Sequence, residues 1–487
     1  MQVPFGEWLP DLPDHLNKGA TTATNVFPAA VSYKPFKTSA VKSNALDGQC
    51  FGAFSTKDND GNVYTFAGDA TKLYKLSNDT FSAVNKSGAT YTLGASNLWF
   101  FSAFGTTVIA SNGVDAPQKF VVGTSSLFAD LGGSPPVFTY SAVIRDFLVT
   151  GRTNSVKNRI QWSGINDVET WTAGTKQSDS QDLADGGEIT GVTGGEYGYV
   201  FQENQITRMD YVGGATVFRL SVISKNRGSV FSKAIAHIGK RVFFYSQDGF
   251  FEIDGENVKA IGENKINDTF KADLAAGYEQ NIIGAIDPIN HLVIWSYPNT
   301  DATTGIQNRF LIYNYTTTRW SIVELSAPMI FTQFSESYTL EMLDDVYASL
   351  DNHTISFDSR YWTGGIVTFG GFDSDNKLID FSGSNLAATI ETGEIEPAPG
   401  KRSTVTVVRP LVDGTSTARV TSRARIADSA TSTSYSSLRT NGDIPVRSTG
   451  RYHKIGVAMA AAASWSDAQG VDLIAVSAGN RLVIYTI

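Results

Sequence analysis

The chain has 487 residues, of which 18% are charged and 41% hydrophobic, with 45 Gly, 29 Phe, 19 Tyr and 8 Trp. Its length exceeds that of one small domain, and its low charge with abundant Gly and aromatic residues excludes a helical bundle, a coiled coil and a charge-rich disordered chain. The net charge of −9 argues against a protein whose main task is to grip nucleic acid non-specifically. A single cysteine excludes an intrachain disulfide framework and a cysteine-rich zinc site.

The N-terminus and the apolar runs bear on where the protein is made. Residues 1–14 have neither a basic start nor an apolar core, so they do not resemble a secretory signal. No window approaches the ~18 consecutive apolar residues of a membrane span. We therefore expect a soluble protein that is made in a reducing cytosol and is not exported as a secreted protein.

Short aromatic or β-branched runs alternate with turn residues along the middle of the chain. In Lys240–Gly255, two such runs flank Gln247-Asp248-Gly249, and in Asn308–Leu325 they flank Thr316–Thr318. Gly, Asn and Asp tolerate the positive φ angles of tight turns, so these stretches predict β-hairpins. The chain is predicted to be all-β.

The strand clusters recur at a regular spacing, which predicts the architecture. They are centred on residues about 44 to 53 positions apart, namely Phe54, Trp99, Phe147, Tyr199, Phe243, Val293 and Val346. This spacing is close to the period of a four-stranded propeller blade. We therefore predict a β-propeller of six to seven blades over residues 46–390, with an array of β-sandwiches as the alternative. One short helix is predicted between blades, from Ile266 to Ala276, and strands are also predicted at Thr354–Phe357.

Two terminal segments break this pattern. Residues 1–45 hold isolated aromatic side chains among Pro, Asn and Thr, which predicts an extended arm and not a core-forming unit. Residues 391–487 begin with the Pro-rich stretch Glu396–Gly400. After it come Thr/Val/Arg alternation and closing strands at Val471–Val476 and Arg481–Tyr485. We predict a hinge and then a C-terminal antiparallel, sandwich-like β domain.

Basic residues concentrate in the C-terminal segment. Lys401–Ile455 holds ten basic and three acidic residues, whereas the rest of the chain holds 29 basic and 45 acidic residues, a balance of −16. Either the basic stretch is a solvated strand face, or it docks an acidic partner. The residues chosen as candidate inter-subunit or partner contacts are Trp8 and Phe27 of the arm and Arg419, Arg423, Arg425 and Arg451 of the basic stretch.

A search for chemistry predicts no catalytic residue, no cofactor and no metal site, and hence no enzyme. The five histidines are isolated, and there is no nucleophile elbow and no phosphate-binding loop. Asp58-Asn59-Asp60-Gly61 resembles the start of a calcium loop, but Asp69 stands where a bidentate Glu is needed, so a hairpin turn is predicted.

Other suggestive residues also have a simpler interpretation. The acids Asp344-Asp345 and Asp373–Asp375 are predicted to be solvated loop residues, although two carboxylates are what glycoside cleavage needs. Trp99-Phe100-Phe101 and Tyr361-Trp362 are predicted to pack in strand cores, with sugar stacking as the alternative. Cys50 is predicted to be buried.

Five phrases of the sequence resemble one family. They are Glu7–Phe36, Ser163–Thr172 (SGINDVETWT), Lys240–Gly255, Glu263–Phe270 (ENKINDTF) and Gly450–Arg481. These phrases are similar to the tail hub, or nozzle, proteins of short-tailed bacteriophages, which are also called packaged-DNA stabilisation proteins. The resemblance touches both ends and the centre of the chain, and it carries no catalytic motif.

The resemblance implies a structural virion protein synthesised in the bacterial host cytoplasm. It implies a homohexameric ring below the portal and adaptor, with a propeller in each subunit and genomic double-stranded DNA passing through the lumen. Tail fibres or spikes and a needle or plug are the further partners that it implies. A lumen lined by the acidic body would repel phosphates and lower friction on the sliding DNA.

Two other functions remain open from the sequence. The first is a propeller that binds a host glycan or another receptor, which requires a Trp- and Tyr-lined pocket on the propeller face. The second is a glycan-cleaving propeller, which requires convergent carboxylates. A closed ring of the purified chain would favour the structural function over both.

Overall fold

The computed structural model describes residues 1–94, 98–335 and 365–477, and these residues are mainly β-strand. The N-terminal segment contributes five short strands: β1 (Gln2–Pro4), β2 (Ala20–Thr24), β3 (Val26–Pro28), β4 (Tyr33–Pro35) and β5 (Ala40–Ala45).

Four four-stranded antiparallel sheets follow, and each pairs its strands in chain order. The strands of the first two sheets are β6 (Gly52–Lys57), β7 (Val63–Gly68), β8 (Leu73–Ser77), β9 (Thr80–Ala83), β10 (Phe100–Phe104), β11 (Thr107–Ser111), β12 (Gln118–Val121) and β13 (Ala129–Asp130). Those of the third and fourth are β14 (Phe138–Ile144), β15 (Phe147–Thr153), β16 (Arg159–Trp162), β17 (Asp179–Asp182), β18 (Ile189–Thr193), β19 (Gly198–Gln202), β20 (Gln205–Tyr211) and β21 (Phe218–Lys225).

Three further sheets complete the series. The fifth and sixth consist of β22 (Ala236–Ile238), β23 (Arg241–Ser246), β24 (Gly249–Asp254), β25 (Asn257–Ala260), β26 (Ile283–Asp287), β27 (Leu292–Tyr297), β28 (Arg309–Asn314) and β29 (Arg319–Glu324). The seventh contains β30 (Met329–Phe334), β31 (Val367–Phe372) and β32 (Lys377–Asp380). Helix α1 (Asn267–Asp273) lies between the fifth and sixth sheets, and one-turn 3₁₀ helices occur at Thr175–Gln177, Gly214–Thr216, Ser232–Ala234 and Glu279–Asn281.

The seven sheets are the blades of a β-propeller. The first strand of each blade contacts that of the next around most of the ring, and β30 contacts β6, so the ring is closed. Between the fourth and fifth blades, the rings of Phe201 and Phe244 pack edge to face with centroids 5.3 Å apart. Apolar clusters fill the spaces between neighbouring blades. The predicted propeller is therefore confirmed, with seven blades in the part of the chain that the structure describes.

The seventh blade takes its outer strand from the N-terminal segment. Strand β5 pairs with β32, with Val41 opposite Ile379 and Ala40 opposite Asp380. Strand β5 leads directly into β6 of the first blade, so its backbone hydrogen bonds to β32 join the first and seventh blades. Residues 40–45 thus belong to the propeller sheet system, although they precede the predicted boundary at residue 46.

The C-terminal segment forms two sheets from β33 (Ala388–Thr392), β34 (Ser403–Val412), β35 (Thr417–Arg423), β36 (Thr431–Ser432), β37 (Ser436–Ser437), β38 (Ile444–Gly450), β39 (Tyr452–Met459) and β40 (Ala468–Ser477). One sheet has the order β3-β4-β40-β34-β38, with β1 also on β40. The other continues the sixth blade in the order β29-β2-β33-β39-β35-β36, with β37 also on β35.

The N-terminal segment is therefore part of the C-terminal sandwich. We call β1–β4 with β33–β40 the composite domain. Its core is continuous with that of the fifth and sixth blades, where Phe250, Trp295 and Trp320 lie together with ring centroids 4.7 to 5.8 Å apart. Tyr33 and Phe5 are almost fully buried, so the arm does supply core side chains, contrary to the expectation from its isolated aromatics.

The other local predictions have mixed outcomes. The hairpin turn at Asp248-Gly249 is confirmed, with Gly249 at φ +131°. The helix is shorter than predicted because Leu274, with φ −69° and ψ 131°, is already extended. The predicted strands at Thr354–Phe357 and Arg481–Tyr485 and the blade centre Val346 lie outside the described residues.

Candidate functional site

The two arm residues predicted to contact partners lie within the protein's own packing. Trp8 is 5% exposed and its indole N–H donates to the Thr21 carbonyl over 3.2 Å. Its side chain therefore offers little surface to a partner. Phe27 is half-buried against the core between the sixth and seventh blades and lines a surface cleft described below.

Three of the four predicted arginines are neutralised by glutamates of the preceding segment. Arg419 lies 3.4 Å from the Glu391 carboxylate and Arg423 lies 2.6 Å from that of Glu394. Arg451 pairs with Glu396 in the same way, and this ion pair lowers the pKa of the Glu396 carboxyl. Sequence counting from residue 401 onward missed these acids, because they stand just before the basic stretch.

The three ion pairs also bear on the predicted hinge. Glu394 and Glu396 are attached to β35 and to the β38–β39 connection through these arginines, and Ile395 exchanges backbone hydrogen bonds of 2.9 Å with His453. The segment before Pro397 is therefore held along the edge of the composite domain.

Arg425 lies apart from this ladder, in an exposed loop. Its side chain is 82% exposed, and its salt-bridge partner among the described residues is Asp428, three residues away at 3.1 Å. We call residues 424–443, which include the two-residue strands β36 and β37, the distal loop. It also exposes the apolar side chains Ile426, Tyr435 and Leu438, and an arginine, Arg439, without an acid in salt-bridge range among the described residues. Exposed apolar groups beside cations are typical of a protein contact surface.

A lateral cleft of about 670 Å³ lies between the sixth and seventh blades and the composite domain. Aromatic side chains and two exposed lysines line it together with carboxylates and amides, including Phe27, Lys34, Lys37, Asp287, Asn290, Phe381, Asn385 and Trp465. The indole N–H of Trp465 is buried and has no hydrogen-bond partner among the described residues. A buried donor that makes no hydrogen bond destabilises a folded protein.

Two further cavities meet on the propeller axis. The axial cavity, of about 290 Å³, lies among the first strands of blades one, two, five, six and seven. The amide pocket, of about 210 Å³, is lined by Gln49, Asn281 and Gln307. Lys233 lines both cavities. No sequence pattern marks Lys233, because only ring closure brings blades one and seven to it.

The remaining predicted residues have structural roles where the structure describes them. Asp58 accepts hydrogen bonds from the backbone N–H groups of Asp60 and Asn62 at 3.0 and 2.8 Å, so the predicted hairpin turn is confirmed. Asp373 similarly accepts from Lys377 N in a hairpin turn. Trp99 and Phe101 are buried in the core between blades one and two. Burial raises the pKa of the Cys50 thiol to about 12.

Two predicted pairs, Asp344-Asp345 and Tyr361-Trp362, lie outside the described residues. Within the described ranges, no three His, Cys, Asp or Glu side chains are grouped so that they could hold a metal ion. No helix in those ranges is long and apolar enough to cross a membrane.

The fold defines the class of this protein: a seven-bladed β-propeller with a composite β-sandwich built from both chain ends. Among solved structures, the chain is similar to the crystal structure of BamB from Moraxella catarrhalis, with 13% identity, a TM-score of 0.36, and coverage of 73% of this chain and 94% of that one. No protein-family model and no curated protein matches the sequence.

Proposed function

We propose that this chain is a structural subunit of the tail hub, or nozzle, of a short-tailed bacteriophage. In this proposal, copies of the chain form a ring, a hexamer by resemblance, below the portal and adaptor. The ring encloses the DNA channel, retains the packaged genome and conducts it during ejection. Tail fibres or spikes and a needle or plug bind the same ring.

The observation that carries the proposal is the meeting in space of three of the family-like phrases. Asp11 of the N-terminal phrase accepts hydrogen bonds of 2.8 and 2.7 Å from the backbone N–H and the hydroxyl of Thr269. Thr269 belongs to the phrase Glu263–Phe270, here called the central phrase. Lys265 of the central phrase lies 2.5 Å from Glu7. Lys454 of the C-terminal phrase lies 3.0 Å from Asp14. These phrases therefore specify one junction between propeller and composite domain.

The construction of this junction suits a load-bearing part. A nozzle under pressure from packaged DNA must resist separation of its domains. Here β2 lies between β29 of the sixth blade and β33 of the composite domain and pairs with both. Pulling the two domains apart requires breaking main-chain hydrogen bonds within one continuous sheet.

The distal loop is the surface that we assign to contact between subunits. Ile426 is 48% exposed and Leu438 is 36% exposed, beside Arg425 and Arg439. Burial of such apolar side chains against a neighbour contributes about 25 cal/mol per Å² of apolar area removed from water, before the entropic cost of association. The acidic remainder of the chain is then free to face the DNA lumen.

Native mass spectrometry and electron microscopy of the purified chain, alone and with its adaptor ring, test the proposal. We expect a closed ring from the unaltered chain. The double variant Ile426→Asp, Leu438→Asp should remain monomeric at concentrations where the unaltered chain assembles, because carboxylates are then buried without partners.

The matched control is Val212→Asp, which places a carboxylate at a 50% exposed valine in a turn of the fourth blade. This variant should assemble normally. A chain that stays monomeric with the adaptor ring present would contradict the proposed function. Normal assembly of the double variant would instead remove only the distal loop from the interface.

A second candidate function, binding of a host glycan or another receptor, is favoured by the lateral cleft. The rings of Phe27 and Phe381 offer apolar contacts to a sugar, and the exposed side chains of Lys34 and Lys37 offer hydrogen bonds. The cleft lies beside the composite domain and not on the propeller face. Glycan-array binding by the isolated chain, lowered about tenfold in the double variant Lys34→Met, Lys37→Met, would support this function, and an array without signal would count against it.

A further inference from the structure

The axial cavity combines apolar walls with one cation. Its walls include Phe54, Trp99, Phe101, Ile283 and Met329. No Asp or Glu is among the described residues that line this cavity or the amide pocket. A cation in such surroundings is costly unless an anion or another polar group compensates it.

Lys233 is that cation, and it stands where the two cavities meet. It lies in the one-turn helix Ser232–Ala234, just before the first strand of the fifth blade. No carboxylate lies within salt-bridge distance of its ammonium group among the described residues. Burial lowers the pKa of Lys233 to about 8, and no neighbouring charge opposes this shift.

The other titratable groups that line the two cavities are His237 and Cys50. His237 is exposed at the border of the axial cavity, where desolvation lowers the pKa of its imidazole below 6.5. Burial raises the pKa of Cys50 to about 12. Between pH 7 and 9.5, Lys233 is therefore the lining group whose charge changes.

The amide pocket supplies hydrogen-bond donors next to Lys233. The Asn281 side-chain amide donates to the Gly305 carbonyl at 2.8 Å, and that of Gln307 donates to the Asn281 carbonyl at 2.7 Å. Each amide nitrogen carries two hydrogens, so each keeps one donor after these bonds. Gln49 lies at the exposed side of this pocket.

We propose that the propeller axis binds a small amphipathic monocarboxylate, whose carboxylate pairs with Lys233 beside the amide pocket and whose hydrocarbon chain fills the axial cavity. Inorganic phosphate would pair with the ammonium group of Lys233 but would make no apolar contacts with the aromatic side chains of the axial cavity. A neutral alcohol of the same length fills the walls but leaves the ammonium group unpaired. The combination selects an anion with an apolar tail, and it does so whether or not the chain forms a ring.

Calorimetry and thermal unfolding of the full chain with octanoate test the inference. We expect octanoate to bind and to raise Tm, 1-octanol and phosphate to bind at least tenfold more weakly, and Lys233→Met to weaken octanoate binding at least tenfold. Lys233→Arg should retain most of the affinity. The matched control is Lys240→Met, which removes an exposed lysine paired with Glu196 at 2.8 Å and should bind octanoate normally.

A pH series on the unaltered chain gives an independent readout, even if a variant at Lys233 fails to fold. Octanoate affinity should fall progressively as pH rises from 7 to 9.5, because the ammonium group loses its charge. Equal binding of octanoate and octanol, phosphate binding as tight as that of octanoate, or an octanoate affinity independent of both pH and Lys233 would each overturn the proposal.

Discussion

Replacing Arg319 by alanine is expected to lower the free energy of unfolding by about 3 kcal/mol or more. The guanidinium group donates hydrogen bonds to the carbonyl oxygens of Phe5 and Gly6 at 3.1 and 2.6 Å and to that of Ala29 at 3.1 Å. It also lies 4.7 Å from the centre of the Tyr33 ring. One side chain of the sixth blade therefore holds two separate stretches of the N-terminal segment.

The size of the effect comes from what alanine would leave behind. Arg319 is 9% exposed, so the three carbonyl oxygens would lose the guanidinium donor in a site largely closed to water. A buried acceptor left without a partner costs about 1–3 kcal/mol. The Tyr33 hydroxyl also donates to the Gly6 carbonyl, at 2.8 Å, and would be left as that oxygen's remaining side-chain partner.

Urea unfolding and limited proteolysis of residues 1–36 measure this prediction. Arg319→Lys should lie between the unaltered chain and the alanine variant, because ammonium keeps the charge but not the planar fork. The control Arg439→Ala removes an exposed arginine of the distal loop and should change stability by less than about 0.5 kcal/mol. An alanine variant with normal stability and a protected N-terminal segment would refute the clamp.

The role of Arg319 illustrates what the sequence could and could not predict. Periodic hairpins such as Lys240–Gly255 predict blades, because each hairpin forms from neighbouring residues and its turn demands Gly, Asn or Asp. The pairing of β5 with β32, and of β1 with β40, joins residues hundreds of positions apart. Strands β1–β5 are only three to six residues long, which is too short for their periodicity to indicate a pairing partner. The sequence therefore predicts an arm for the N-terminal segment.

The predicted contact residues show a related limit. Net charge counted over residues 401–455 describes a stretch of sequence, whereas the charge of a surface depends on which residues lie together. Glu391, Glu394 and Glu396 precede the stretch and neutralise three of its arginines, so Arg425 alone of the predicted four is largely exposed. Lys233 shows the reverse case. The sequence around it does not predict a cation on the propeller axis, and that cation has no salt-bridge partner among the described residues.

The stability of the composite domain is expected to fall as pH drops below about 6.5, through His453. This side chain is fully buried, and its Nδ1 lies 2.7 Å from the Ser422 hydroxyl and its Nε2 2.9 Å from the Ser403 hydroxyl. Ser403 and Ser422 belong to different sheets of the sandwich, so the imidazole joins the two sheets. Burial lowers the pKa of His453 below its usual 6.5.

The loss of stability at low pH follows from the difference in proton uptake between the folded and unfolded chain. Below pH 6.5 the unfolded chain binds a proton at this histidine, while the folded chain does not until its lower pKa is reached. Unfolding is therefore favoured by about 1.4 kcal/mol for each pH unit within that interval. His237, an exposed residue of the fifth blade whose pKa is also lowered by desolvation, adds a smaller loss in the same direction.

Urea unfolding at pH values from 7.5 to 5.5 separates these contributions. His453→Gln keeps a donor and an acceptor but no titration, so it should be less stable than the unaltered chain at pH 7.5 and should lose less stability on acidification. His237→Gln should flatten the profile only slightly, whereas the control His15→Gln, in the N-terminal segment, should follow the unaltered chain. If the stability of His453→Gln changed with pH in parallel with that of the unaltered chain, the pKa of His453 would be the same in the folded and unfolded states. The link between the two sheets would then not respond to pH.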